Sequence, residues 1–390
     1  MVVGWFDLTL MDLVMLAHTS LAFTERSAHG TLRRQHEFIA LFARRRMQLL
    51  HIMRIPLIVG LASLASLLTT TAAEWKAAAD WLKLPPGRPT LGNMHGDIAV
   101  SSKGEVYVST QDPKAGVQVY GPDGKWLRNL PDAPADFHGF VIKKQGDGEF
   151  IYGPRLGAQT IVKLTLDGKK VMEVTASAIP DEFKNKTGPS KKKNDKGEPV
   201  KDPNEGKSFV RLTGMDIAPN GDWYVTDGYS TSYVHRFDKD GKYIKSFGGR
   251  KEPYKFTTLH KIAVDTRFTP IRIIACDREA LRVVHMSTDG EFLGVVAKDL
   301  LAPAAIAVQG DYALVGEIGG AVSVLDKEGK QVARLGLNTV KEEVKNNQTK
   351  PEVWRTGFVT APHGVAFNGA GDVFVAEYNV YGRVHRFNKL

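Results

Sequence analysis

The strongest constraint on this chain is a segment that repeats along it. The clearest copy runs from Gly214 to Phe247, GMDIAPNGDWYVTDGYSTSYVHRFDKDGKYIKSF. An apolar stretch, Met215 to Ala218, meets a Pro-Asn-Gly turn, and an alternating stretch, Trp223 to Thr226, follows. Tyr233 to Phe237, an Asp-Lys-Asp-Gly turn and Tyr243 to Phe247 complete the unit. Period-2 alternation broken by Gly, Pro, Asn and Asp every eight to twelve residues reads as four short strands. The template recurs from His95 (DIAVSSKGEVYVST, VQVYGPDGKWL), His138 (FVIKKQGDGEFIYG, IVKLTLDGKKV), His260, Ala304 and His363, which makes six copies. One four-stranded unit cannot bury both of its faces, so the copies must stack, and six close a ring around an axis. The expected fold is all-β, a six-bladed β-propeller over residues 74–390. Its sixth copy ends near Leu390 after a third strand, and residues near Trp81 to Leu91 are expected to supply the missing outer one. Polar, lysine-rich insertions at about 175–209 and 336–361 fall between blades. They read mostly as surface loops, with Trp354 and Arg355 as candidates to roof one mouth of the channel.

Composition removes several function classes. The chain is 43% apolar and 24% charged, as a folded globular protein is, and carries a net charge of +9. Much of that charge sits in two places, an N-terminal leader with Arg33, Arg34, Arg44, Arg45 and Arg46, and the stretch from Lys184 to Lys207. Neither interleaves aromatics with basic residues or resembles a recognition helix, so nucleic acid is not an expected partner. Cys276 is the only cysteine, which rules out an intrachain disulfide. From Met53 the chain reads MRIPLIVGLASLASLLTTTAAEW, a basic start, an apolar run and small residues up to Ala73. This pattern predicts a signal peptide with its start at Met53 and cleavage after Ala73. It implies export to the periplasm or the extracellular space without stable membrane insertion. A cytoplasmic tail on a signal anchor is the alternative for residues 1–52.

Aligning the copies on their first strands places Gly96, His138, Met215, His260, Ala304 and His363 at one position. Histidine therefore occupies every second blade. In a closed six-bladed ring these positions lie about 120° apart on the innermost strands, so three imidazoles converge on the axis. Three neutral nitrogens with a fourth position open is the ligand set of a catalytic zinc ion, and imidazole also suits iron, copper and nickel. His95 lies one residue before the aligned position and is expected to face elsewhere. His51, His235, His285 and His385 fall in the leader or on third strands, where surface or packing roles are expected.

Taken together these residues resemble the NHL-repeat propeller of peptidylglycine α-amidating enzymes, the peptidyl-α-hydroxyglycine α-amidating lyase domain, from about Met94 to Phe387. In that family zinc is held by histidines in Pro-His-Gly, Pro-His-Ser and Pro-His-Asp settings. Phe137-His138-Gly139, Leu259-His260-Lys261 and Pro362-His363-Gly364 stand there in this chain. The family's Ser-Asp-Gly-Tyr, whose tyrosine acts on the substrate hydroxyl, is matched by Thr226-Asp227-Gly228-Tyr229. Its Ala-Asp-Arg-Glu, whose arginine faces the active site, is matched by Cys276-Asp277-Arg278-Glu279. The resemblance implies zinc on His138, His260 and His363, Tyr229 and Arg278 as catalytic residues, and a peptide or small-molecule substrate in the central channel. Two positions depart from the family. Gln111 stands near its first-blade arginine, and Gly364 replaces the aspartate after its third zinc histidine. Ligands for the family's structural calcium are not traceable here. A non-catalytic propeller that binds protein or glycan and keeps a structural metal is the competing expectation. A sugar-lactone hydrolase would need a carboxylate-rich calcium site on the axis, and the aligned positions hold none.

Overall fold

A computed structural model describes residues 74–188 and 202–390; the expected signal peptide, its Met53 start and the cleavage point after Ala73 lie outside them, as does the middle of the first insertion. Within the described residues the alternating segments form six four-stranded antiparallel sheets, the blades of a β-propeller. Their innermost strands are Ile98–Val100, Val141–Gln145, Gly214–Ile217, Leu259–Asp265, Pro303–Gln309 and Pro362–Phe367, numbered here as blades 1 to 6. These strands contact one another in a circuit that runs from blade 1 to blade 6 and back to blade 1. No described helix is long and apolar enough to cross a membrane.

The core follows from the alternation. A blade has two faces, and each buries its apolar residues against a neighbour, so the core divides into six clusters at the six junctions. The junction of blades 2 and 3, for example, packs Tyr152, Ile161 and Val174 against Met215, Trp223 and Phe237. Second strands such as Trp223–Thr226 and Val373–Glu377 are buried throughout, whereas outer strands such as Lys170–Thr175 alternate with solvent.

The ring is closed by Trp75–Ala77, which pairs antiparallel with Val384–Lys389 in the register Trp75↔Lys389, Lys76↔Asn388 and Ala77↔Phe387. The sequence expectation of Trp81 to Leu91 for this strand is corrected. Pro85, Pro86 and Pro89 deny that segment the N–H groups a ladder needs. It crosses instead to the junction of blades 6 and 1, where Trp81, Leu82 and Leu91 pack.

Two local devices aim residues at the axis. In blades 4, 5 and 6 the register between first and second strand skips one residue, leaving His260, Ala304 and His363 unpaired. A bulge of this kind bends the strand and re-aims the side chain it carries. Behind it, an acid ends the second strand and accepts hydrogen bonds from the segment entering the first. Asp277 Oδ1 accepts from Thr257 N at 3.0 Å and Thr258 N at 3.1 Å, Glu377 Oε1 from Thr360 N at 2.8 Å, Asp227 Oδ1 from Arg211 N at 2.6 Å, and Glu317 Oε2 from Leu301 N.

In the second insertion, the two residues expected to roof the channel line a cavity beside blade 6. Trp354 Nε1 donates to Thr349 O, Arg355 pairs with Glu343, and both line a peripheral cavity of about 300 Å³ with Trp81 and His385. In the first insertion Asn185–Lys186 pairs with Ser208–Phe209.

Candidate metal centre

The rings of His138, His260 and His363 meet on the axis, with centroids 4.6, 4.9 and 5.0 Å apart. Each ring turns its Nδ1 to a backbone carbonyl of the next blade: Thr213 O at 2.7 Å for His138, Ala304 O at 2.6 Å for His260 and Gly96 O at 2.7 Å for His363. The alternation seen in the sequence thus has a cause, since every second blade supplies a histidine and the blade after it supplies the acceptor. A carbonyl only accepts, so Nδ1 carries the hydrogen and Nε2 keeps its lone pair. Burial holds all three imidazoles well below the ordinary histidine pKa, the neutral form a metal requires.

The three Nε2 atoms have at most one donor among them. Those of His138 and His260 lie 3.2 and 2.9 Å from the hydroxyl of Tyr229, which can donate to one of them at a time. His363 Nε2 is buried with no partner among the described residues. Lone pairs left without protons in a dry cup are costly unless a cation meets them. Metal-ligating histidines also typically donate their second nitrogen to a carbonyl, as all three do here. The residues therefore fit a divalent ion in this cup, drawn from His138, His260, His363 and the neighbouring His95, whose ligand nitrogens form the tight set with those of His138 and His363.

Tyr229 reaches this cup from the end of blade 3, beyond the strand Trp223–Thr226. Gly228 before it has no room for a side chain, because a Cβ would lie 2.4 Å from Leu259 O. Arg278, from the equivalent end of blade 4, donates through Nη1 to the Tyr229 hydroxyl at 3.1 Å and through Nε to Glu279 Oε1 at 2.9 Å. Burial pushes the Tyr229 pKa up and the Arg278 guanidinium pulls it down; burial prevails, so the phenol is protonated at neutral pH.

Two sequence expectations change, and two further positions are placed. His95 does not face elsewhere, since its ring lies 4.8 Å from both His138 and His363 and 4.3 Å from Tyr378. The ligand nitrogens of His95, His138 and His363 all fall within 4.8 Å of one another. Strand alternation did not apply to it because His95 precedes the strand Ile98–Val100, in a segment pinned by Met94 N donating to Asn379 O at 2.9 Å. Thr213, not Met215, holds the axial position of blade 3, and Met215 packs between blades. Gln111 is exposed and accepts from Asn93 Nδ2 at 2.6 Å. At Gly364 a Cβ would lie 2.4 Å from Asp97 Oδ1, so the position after the third histidine has no room for a side chain. The third-strand histidines keep packing roles, with His235 on Ser246, His285 on Asp265 and His385 on Glu377.

No family model matches the chain. Solved propellers do. Virginiamycin B lyase from Staphylococcus aureus is 16% identical and matches over 81% of this chain and 100% of its own, with a TM-score of 0.51. A gluconolactonase from Xanthomonas campestris is 12% identical over 77% of this chain and 89% of its own, TM-score 0.51. A protein of unknown function from Bacteroides thetaiotaomicron is 13% identical over 77% and 70%, TM-score 0.52. At such identities the likeness is one of fold, and what this chain shares with them is the six-bladed β-propeller.

Proposed function

We propose that the protein is an exported, metal-dependent lyase of the amidating-lyase kind, cleaving a carbinolamide to an amide and an aldehyde such as glyoxylate. The observation that carries this reading is the Tyr229 hydroxyl, shared between two axial histidines and backed by Arg278. A zinc or similar divalent ion held by His138, His260 and His363 would supply a Lewis acid for the substrate hydroxyl. Arg278 Nη2 makes no hydrogen bond among the described residues and is placed to bind a substrate carboxylate. Because the Tyr229 phenol is protonated, it acts as a relay. Its oxygen takes the proton of the substrate hydroxyl while its own proton goes to the departing amide nitrogen, the C–N bond breaks and the C–O bond becomes a carbonyl. The fold accommodates such work, since propellers of this architecture include a lyase and a lactonase.

The test is metal content by mass spectrometry of the full chain, wild type beside His260→Ala, with turnover of an α-hydroxyglycine peptide. One zinc or iron per chain, lost in the variant, together with glyoxylate release supports the proposal. No metal after purification and reloading would overturn it and leave a non-catalytic binding propeller.

A further inference from the structure

One residue beyond the axial position, the six blades present Asp97, Gly139, Gly214, Lys261, Ala305 and Gly364. Three glycines and an alanine leave space at the centre of the ring, and one ion pair fills it. Lys261 Nζ lies 2.8 Å from Asp97 Oδ2, and both side chains are buried. The glycines are obligatory for this, because a Cβ at Gly214 would lie 2.8 Å from Lys261 Cγ and one at Gly364 still closer to Asp97.

The pair reaches the backbone of all three histidine segments. Lys261 follows His260 directly. Its Nζ also donates to the carbonyl of His363 at 2.6 Å. Asp97 Oδ2 accepts from Phe140 N at 3.3 Å, two residues after His138, and the Gly96–Asp97 peptide carries the carbonyl to which His363 Nδ1 donates. Most buried ion pairs are no better for stability than an apolar filling of equal volume, so a role in filling alone explains neither the charges nor their targets.

We propose that Lys261 and Asp97 are positioning residues that brace His138, His260 and His363 into one metal-binding geometry from beneath. The inference rests on the proposed metal site only for its purpose; the bracing itself is a property of the metal-free protein and is read there. The experiment compares the full chain with Lys261→Met/Asp97→Asn. It follows solvent exchange of the three imidazole Nδ1–H protons by NMR without metal, then the affinity and absorption spectrum of Co²⁺. The expected result is a folded variant in which the His138 and His363 protons exchange at least about tenfold faster. Its Co²⁺ affinity falls roughly 10- to 100-fold, with an altered spectrum. A folded variant with unchanged exchange would overturn the proposal, whatever Co²⁺ does. Should the double variant fail to fold, Asp97→Ala alone, which removes the acceptor of Phe140 N, decides. His138 exchange is expected to rise while His363, still held by Lys261, does not, and equal behaviour of both would overturn it. Wild-type protein that binds no Co²⁺ would remove the metal reading and leave the exchange result standing.

Discussion

At the scale of single residues, Tyr229 separates chemistry from architecture. Its hydroxyl touches two imidazoles and a guanidinium but supports no strand. Tyr229→Phe is therefore expected to retain metal and fold while lowering kcat about 10²- to 10⁴-fold, the usual worth of a positioned proton-transfer group. Equal loss of metal and turnover would instead make it a structural residue. Gly364→Ala tests the neighbouring layer. A methyl 2.4 Å from Asp97 Oδ1 has to displace the ion pair, so a loss of roughly 1–3 kcal/mol is expected in urea titrations. The residue scale is also where the sequence was hardest to read. Met215 and Thr213 differ by two positions, and because strand side chains repeat every two residues, that slip preserves the apolar pattern and hides the error. Thr213 contributes through its backbone carbonyl, which no side-chain pattern reports. The facing of His95 escapes the pattern for a related reason, since facing rules hold inside strands and it lies ahead of one. Its signal was nonetheless present, as a histidine next to Gly96, the aligned position of blade 1.

At the scale of elements, four blades share one arrangement, an acid at the end of the second strand that ties down the segment entering the first. In blade 4 Asp277 accepts from Thr257 and Thr258 and pairs with Arg282 at 2.9 Å. Asp277→Asn keeps the shape but removes the charge, leaving a half-buried guanidinium without its partner and a weakened anchor two residues before His260. A destabilisation of about 1–3 kcal/mol is expected by urea denaturation. The repeat made these acids visible, because Asp227, Asp277, Glu317 and Glu377 stand at equivalent places. The closing strand was less visible, since three residues carry too little pattern to stand out. Trp75–Ala77 is recognised by what it completes, with Trp75 packed edge-on against Tyr312 at 5.7 Å and donating from Nε1 to Gly371 O at 2.9 Å. Trp75→Ala is expected to cost about 2–3 kcal/mol, below the value for a fully buried tryptophan because the residue is half-buried. If the ring closes by this strand, proteolysis in the variant should begin at blade 6.

At the scale of the whole molecule, the buried histidines set the response to acid. His235 is pushed down to about 3 and His95 to about 4 by burial, and the three axial imidazoles lie well below the ordinary value. A base with a lowered folded pKa leaves the unfolded chain binding more protons below pH about 6.5, so stability is present above that pH and lost as pH falls toward the folded values. Each such histidine contributes at most about 1.4 kcal/mol per pH unit, and five give roughly 7. Two buried acids, Asp97 and Asp227, oppose them, both raised by burial. Asp227 is raised to about 6 by burial, so between its unfolded value and about 6 the folded state binds the extra proton, which removes roughly 1.4 kcal/mol per unit from the slope. The balance still favours unfolding. A domain of ordinary stability, about 5–15 kcal/mol, is expected to hold a constant urea midpoint from pH 8 to 7 and to lose its fold between about pH 6 and 4. Metal on the axial histidines adds stability without steepening the fall, because those three imidazoles are already neutral in the metal-free folded chain. The contribution of one residue can be isolated with His235→Gln, far from the axis. Its deficit against wild type should shrink by about 1.4 kcal/mol for each pH unit below 6. A midpoint flat down to pH 5, in both proteins, would mean that the imidazoles are not held neutral and that the cup is not built as a metal-ready site.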